Sequence, residues 1–318
     1  MQRSTSLWGS TGVEAPPRSS RFAIFAAYAA CVLIWGTTWL GIKYSLTGLP
    51  PLTGAGIRFV AAAAILYAAG AALRPDLRRR APPTRLVLVL ALMMFGLNYA
   101  LTYLAETHLA SGLVAVLFGT MPFFIFGFAR GMLGERAGLG TIVGALLALG
   151  GVATISLVGD VRGELPYVLA VLGASACSGF ANVYLKRYAQ AEPFATLPPA
   201  MLLAGLVMTA SGVLFEAPDW YRATMLAPLA ALGYLALCGS ALAFYLNHWL
   251  LQRIDSGVMG LSALMIPVVA VLVGTFVGHE VFGVRDVIGA LLVIGGVSIA
   301  LVRPRTPVPV SREANVAA

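Results

Sequence analysis

A chain of 318 residues with 59% hydrophobic and 11% charged residues and a mean hydropathy of +0.87 has too little polar surface to cover a water-soluble globule. Its formal net charge of +8 would suit a nucleic-acid binder in another setting. Here the densest cluster, Arg78-Arg79-Arg80, lies between two long apolar runs, so it reads as cytoplasmic loop charge and no nucleic-acid partner is expected.

A hydrocarbon core about 30 Å thick takes roughly 20 helical residues per crossing. Residues 1–21 are polar and Pro-containing and form the expected N-terminal tail. Apolar stretches then predict spans at Phe22 to Ile42, Leu52 to Leu73, Leu86 to Glu106, Ala110 to Phe128 and Gly138 to Val158. A second set runs over Leu165 to Leu185, Pro193 to Phe215, Leu229 to Leu251, Gly257 to Val277 and Val284 to Val302. Residues 303–318 form a second polar tail. Ala27-Tyr28-Ala29 resembles a signal-peptidase site, but the apolar run before it is short and apolar sequence continues to Trp39, so an uncleaved first helix is expected. The loops leave no room for a soluble domain.

Basic residues are retained on the cytoplasmic side of a membrane. With the N-terminus inside, the cytoplasmic segments hold most of the arginines, including Arg74, Arg85, Arg130 and Arg253. The outer side holds only Lys43, Arg162, Arg222 and Arg285. Both termini are therefore expected in the cytoplasm. Cys31, Cys177 and Cys238 stand singly inside spans, and His108, His248 and His279 share no chelating spacing. No disulfide, metal or cofactor is expected.

The chain is internally repeated. A displacement of 145 residues lays Ser111-Gly112 on Ser256-Gly257, Pro122 on Pro267, Glu135 on Glu280 and Gly150-Gly151-Val152 on Gly295-Gly296-Val297. With a two-residue slip, Gly36 and Lys43 fall on Gly179 and Lys186, so the unit is five helices. Five is odd, so the second copy enters the membrane upside down. The expected fold is an all-α integral membrane protein of ten helices in two inverted halves, 22–158 and 165–302. Such repeats are recurrent in secondary transporters, where they enclose a site near the midplane.

Specific residues carry a family resemblance. Trp35-Gly36-Thr37-Thr38, Arg58, the run Ala105 to Gly112 leading into Pro122, the Gly134-Glu135-Arg136 turn, and Ile266-Pro267 followed by His279-Glu280 resemble the EamA-type permeases of the drug/metabolite transporter superfamily. That resemblance implies two EamA repeats, a bacterial inner-membrane location and efflux of small metabolites, including amino acids. The chain departs from the family pattern at Ser178-Gly179, where Trp-Ala is common, and at His279, where Gly is usual.

Depth along the helices selects the candidate site. At about 1.5 Å per residue, Trp35 lies roughly 20 Å into the first span with Thr38 on the same face, and Asn98 about 18 Å into the third beside Tyr99. The second half offers Ser178 and Asn182 on the sixth span and Ser240 and Asn247 on the eighth. These groups either line a small-molecule substrate cavity or bond between helices. Arg58, about 9 Å inside the second span, must snorkel, pair or face water. Glu106 ends the third span on that side, so Arg58 and Glu106 either pair or share an aqueous outer vestibule, with Glu106 a candidate for a coupling proton; the alternatives are an Arg58 that reaches the headgroups and a Glu106 solvated at the interface. Pro122 and Pro267 free the carbonyls of Phe118 and Ala263 and are candidates for gating bends.

The expected activity is secondary active export of a small metabolite, an amino acid or a drug-like solute, by alternating access and driven by an ion gradient. No Walker A, H-E-x-x-H or G-x-S-x-G sequence is present to support ATP hydrolysis or an enzyme. A channel or facilitator and, less favoured, an intramembrane enzyme are the alternatives. The sequence leaves the substrate, the direction, the coupling ion and the oligomeric state open.

Overall fold

The computed structural model describes residues 21–74, 82–133, 139–157, 164–187, 192–253 and 262–302. The two tails, Arg78-Arg79-Arg80, Arg162, the Gly134-Glu135-Arg136 turn and Ser256-Gly257 lie outside the described residues.

Among the described residues every regular element is helical, as a chain without water must arrange to satisfy its backbone. The first half contains α1 (Arg21–Ser45), α2 (Pro51–Leu73) and α3, which runs through Thr84–Val89, Leu90–Leu97 and Asn98–Glu106. It continues with α4 (Ser111–Phe118), α5 (Met121–Leu133) and α6 (Leu139–Leu157). The second half contains α7 (Leu165–Arg187), α8 (Pro193–Phe215), the single turn α9 (Trp220–Ala223) and α10, which runs through Leu226–Tyr234, Leu235–Leu242 and Ala243–Leu251. It ends with α11 (Ser262–Phe276) and α12 (Val284–Val302). Pro51 and Pro193 stand in the first turns of α2 and α8, where a missing N–H removes no helical bond.

Among the described residues seven segments are long and apolar enough to cross a membrane: α1, α2, α3, α4 with α5, α7, α8 and α10. Where the fifth and ninth spans are expected, the apolar helices are shorter, Ile142–Gly151 within α6 and Met265–Phe276 within α11. The tenth expected span coincides with α12.

Two helix pairs pack through glycine. On the α2–α8 seam, Gly56 lies against Gly205 and Thr209, Thr53 against Gly212, and Gly70 against Phe194. On the α6–α12 seam, Gly151 lies against Gly289 and Val293, and Gly296 against Gly144 and Ala148. In each pair the start of one helix meets the end of the other, so both pairs are antiparallel. Without a side chain at these positions the backbones approach closely, which is how helices gain dispersion energy in lipid.

Both α3 and α10 contain an eight-residue π-helical stretch, Leu90–Leu97 and Leu235–Leu242. Leu90 to Leu235 and Leu97 to Leu242 are both steps of 145, the displacement that aligns the sequence repeat. π-turns are rare, and they loosen the carbonyl pattern of the helix that holds them.

The fourth span breaks at Gly119-Thr120, three residues ahead of the expected proline kink, and Pro122 becomes the second residue of α5. The freed Phe118 carbonyl accepts a hydrogen bond from Ser175 Oγ of α7 at 3.4 Å. Pro267 does not interrupt α11, which runs unbroken across it, and Pro198 and Pro199 are likewise carried inside α8. A proline removes only one ladder bond, and neighbouring helices make this tolerable within a bundle.

Candidate functional site

Arg58 is the centre of the site. Its side chain is fully buried, with 0% exposure, and points into the bundle rather than toward lipid headgroups. Nε donates to Ser240 Oγ at 2.8 Å, one terminal nitrogen to the Gly239 carbonyl at 3.3 Å and the other to Tyr103 Oη at 3.5 Å. Its carbon lies 4.7 Å from the Tyr99 ring centroid and 5.3 Å from that of Phe59. Cation–π contacts of this kind contribute about 0.5–2 kcal/mol each, more where water is excluded.

The π-stretch of α10 explains why a main-chain acceptor is available. In an α pattern the Ala243 N–H would bond the Gly239 carbonyl, but here it bonds Cys238 and Ser240 instead. In α3 the position 145 residues earlier, Met94, has its carbonyl bonded by Asn98 Nδ2 at 3.0 Å. Equivalent carbonyls in the two halves are thus both taken by a side chain, one local and one from α2.

Around Arg58 the structure gathers several of the expected residues. Trp35 packs edge-on to Phe244 with centroids 5.7 Å apart, and Phe244 in turn meets Phe95 at 5.0 Å and Tyr99 at 6.4 Å. Thr38 lies against Gly239 and donates to the Trp35 carbonyl at 2.8 Å. Trp35, Thr38, Arg58, Tyr99 and Ser240 therefore form one cluster drawn from α1, α2, α3 and α10.

The other candidates stand apart. Asn98 is buried and spends its amide on its own helix, while its oxygen accepts from Thr102 Oγ1 at 3.5 Å. Asn182 donates to the Ser178 carbonyl at 2.8 Å and faces the Ser178 hydroxyl at 3.5 Å, again within one helix. Asn247 is buried near the C-terminal end of α10. A cleft of about 390 Å³ opens beside α1, α10 and α11, lined by residues such as Leu40, Tyr44, Ala231 and Val273, and includes none of the expected cavity residues.

The expected Arg58–Glu106 ion pair is absent. Tyr103, one turn before Glu106 on α3, supplies the nearer oxygen to Arg58. Glu106 is not solvated at an interface either: it is 1% exposed, and neither carboxylate oxygen has a hydrogen-bond partner. Lys43, Arg58 and Glu280 are the charges that act on it. The Ser111 hydroxyl and Trp39 Nε1 are also buried without partners.

Sequence reasoning missed several contributors. Phe244 stands 145 residues after Tyr99, so the repeat itself pointed to it. Glu280 accepts from the Ser111 and Gly112 N–H groups at 2.8 and 3.2 Å, and its in-register match with Glu135 was the available signal. Glu216 accepts from the N–H groups of Leu52 and Thr53 and from the Thr53 hydroxyl, at 2.8 to 2.9 Å, and nothing in the sequence marked it.

Comparison with known proteins assigns a family to this architecture. The model of the EamA-like transporter family matches residues 21–157 and again 165–302. YedA, an inner membrane transporter of Escherichia coli K12, is 31% identical over 267 residues, covering 81% of this chain and 83% of its own. The protein PagO of Salmonella typhimurium is 27% identical over 283 residues, covering 87% and 92%, and the transporter YoaV of Bacillus subtilis 27% over 275 residues, covering 83% and 92%. A solved crystal structure at 22% identity superposes with a TM-score of 0.67 over 88% of this chain and 97% of that one, a likeness of fold.

Proposed function

Because the chain belongs to the EamA-like transporter family, we propose that it is a secondary active exporter that moves a small metabolite, an amino acid or a drug-like solute, across the bacterial inner membrane. It does so by alternating access, with both termini in the cytoplasm, and an ion gradient drives it. The two halves, 22–158 and 165–302, are inverted copies. The observation that carries this reading is the antiparallel packing of repeat-equivalent helices, α2 on α8 and α6 on α12, which a twofold axis in the membrane plane generates. The equivalent residues Tyr99 and Phe244 meet close to that axis. Arg58, Trp35, Thr38, Tyr99 and Ser240 form the substrate-facing centre, because an intramembrane guanidinium hydrogen-bonded only to neutral groups is expensive and so marks a functional path. Asn98, Ser178, Asn182 and Asn247 line the approaches, and the break at Gly119-Thr120, just ahead of Pro122, marks the bend that moves.

Glu106 is the coupling group: a buried carboxylate without a hydrogen-bond partner is stable when it takes up a proton. Counterflow in proteoliposomes tests the carrier, since only a carrier exchanges labelled for unlabelled substrate, whereas a channel does not and an enzyme converts without moving. For the coupling role, Glu106→Gln should keep counterflow while losing acceleration by a proton gradient. A wild-type response to the gradient in that variant would discard the coupling role.

A further inference from the structure

We propose that Glu216 and Glu280 are positioning residues that clamp shut the outer mouth of the bundle, and that both must release their helices before the substrate path opens to the outside; this rests on the carrier reading above. Each glutamate belongs to the second half and grips the first turn of a first-half helix. Glu216, at the end of α8, accepts from the N–H groups of Leu52 and Thr53 at the start of α2. Glu280, after α11, accepts from those of Ser111 and Gly112 at the start of α4. A carboxylate at a helix N-terminus gains from both the free N–H groups and the helix dipole. Lys43 of α1 adds a third tie, donating to the Leu109 carbonyl at 3.0 Å and standing 4.0 Å from Glu280.

The backbone supplies a second, independent observation. Among the described residues only two non-glycine positions have positive φ, Ala217 at 47° and His279 at 53°. Each adjoins one of the two glutamates. A left-handed alanine is disfavoured by about 1–2 kcal/mol, and such strain persists where the surroundings demand it. Here it aims each carboxylate across the boundary between halves.

The opposite end of α2 and α8 is held differently. With α2 equivalent to α8 at a step of 142, from Pro51 to Pro193, Glu216 corresponds to Arg74. Arg74 pairs with Glu192, which precedes α8, at 3.8 Å, and the two side chains are 46% and 27% exposed. An exposed ion pair at that distance contributes little compared with charge-assisted bonds to partly buried main chain. The two ends therefore differ in kind: at the outer end each glutamate grips main-chain N–H groups of a first-half helix.

Accessibility of a buried cysteine reads the clamp without any substrate. In the full chain with Cys31, Cys177 and Cys238 replaced by alanine, Ala105→Cys reports at the outer end of α3, and Thr196→Cys reports at the inner end of α8. Both native side chains are fully buried. In purified protein in detergent, Glu280→Ala or Glu216→Ala should speed maleimide labelling at position 105 by about tenfold or more, the population shift expected when one charge-assisted bond is lost. Labelling at 196 should stay unchanged. No change at either position overturns the clamp, and so does an equal rise at both, which is general loosening. Where an alanine variant does not elute as a single species, the glutamine variant at that position is read by the same criteria. Wild-type counterflow is scored separately: failed counterflow with selective labelling sinks the carrier and keeps the clamp, and active counterflow with unchanged labelling does the reverse.

Discussion

Arg58 illustrates how a single residue can be legible in kind and illegible in detail. Its place well inside an apolar run announced that it must find partners. The partners are Ser240, Gly239 and Tyr103, none of them charged. A buried cation whose hydrogen bonds all go to neutral groups stabilises the fold poorly, because its desolvation is not recovered by bonds of 2.8 to 3.5 Å to dipoles and Glu106 acts on it without a direct contact. Arg58→Met should therefore keep or raise the thermal midpoint in detergent, since the Ser240 hydroxyl can turn to its own helix, while counterflow falls by about tenfold or more. A midpoint that drops by several degrees would mean that the guanidinium is a structural pin. Arg58→Lys should restore little transport, because an ammonium cannot span Ser240, Gly239 and Tyr103 at once.

At the scale of elements, the seams follow from what a side chain would strike. A methyl group at Gly56 would run into the backbone of Thr209 and Gly205, and α2 and α8 would have to part. Gly56→Val should lower stability by about 1–3 kcal/mol, the cost of overpacking. Gly150→Ala, on the same kind of apolar helix but with nothing within 4 Å, should be neutral or slightly stabilising. Thermal unfolding in detergent distinguishes the two, and equal losses would remove the packing argument. These glycine seams were only partly legible: the fifth and tenth spans announced theirs through Gly144, Gly151 and Gly296, whereas Gly56, Gly205 and Gly212 carry no pattern of their own. Helix positions followed from hydropathy because lipid permits few alternatives. The π-stretches did not, since Leu90–Leu97 and Leu235–Leu242 read as ordinary apolar helix, and the carbonyl they release at Gly239 depends on long-range packing. Glu216 was hidden for the same reason, since its partners lie 163 and 164 residues away.

For the whole molecule, everything depends on which compartment each loop faces. Antiparallel contact between α2 and α8 puts the start of α2 beside the end of α8, so Thr47 and Tyr221 belong to one face, and Arg74 and Lys186 to the other. The chain must then cross an odd number of times between equivalent positions of the two halves. Cysteines introduced singly at Thr47, His108, Tyr221 and Val281, all exposed, should react with a membrane-impermeant maleimide on intact cells. Those at Arg74, Pro83, Lys186 and Gln252, also exposed, should react only after the membrane is permeabilised. The paired positions decide the matter, because Arg74 and Glu216 are equivalent in sequence yet fall at opposite faces, as do Lys43 and Lys186. If Pro83 and Val281 were labelled from the same compartment, the two halves would be parallel copies and the twofold axis would lie along the membrane normal.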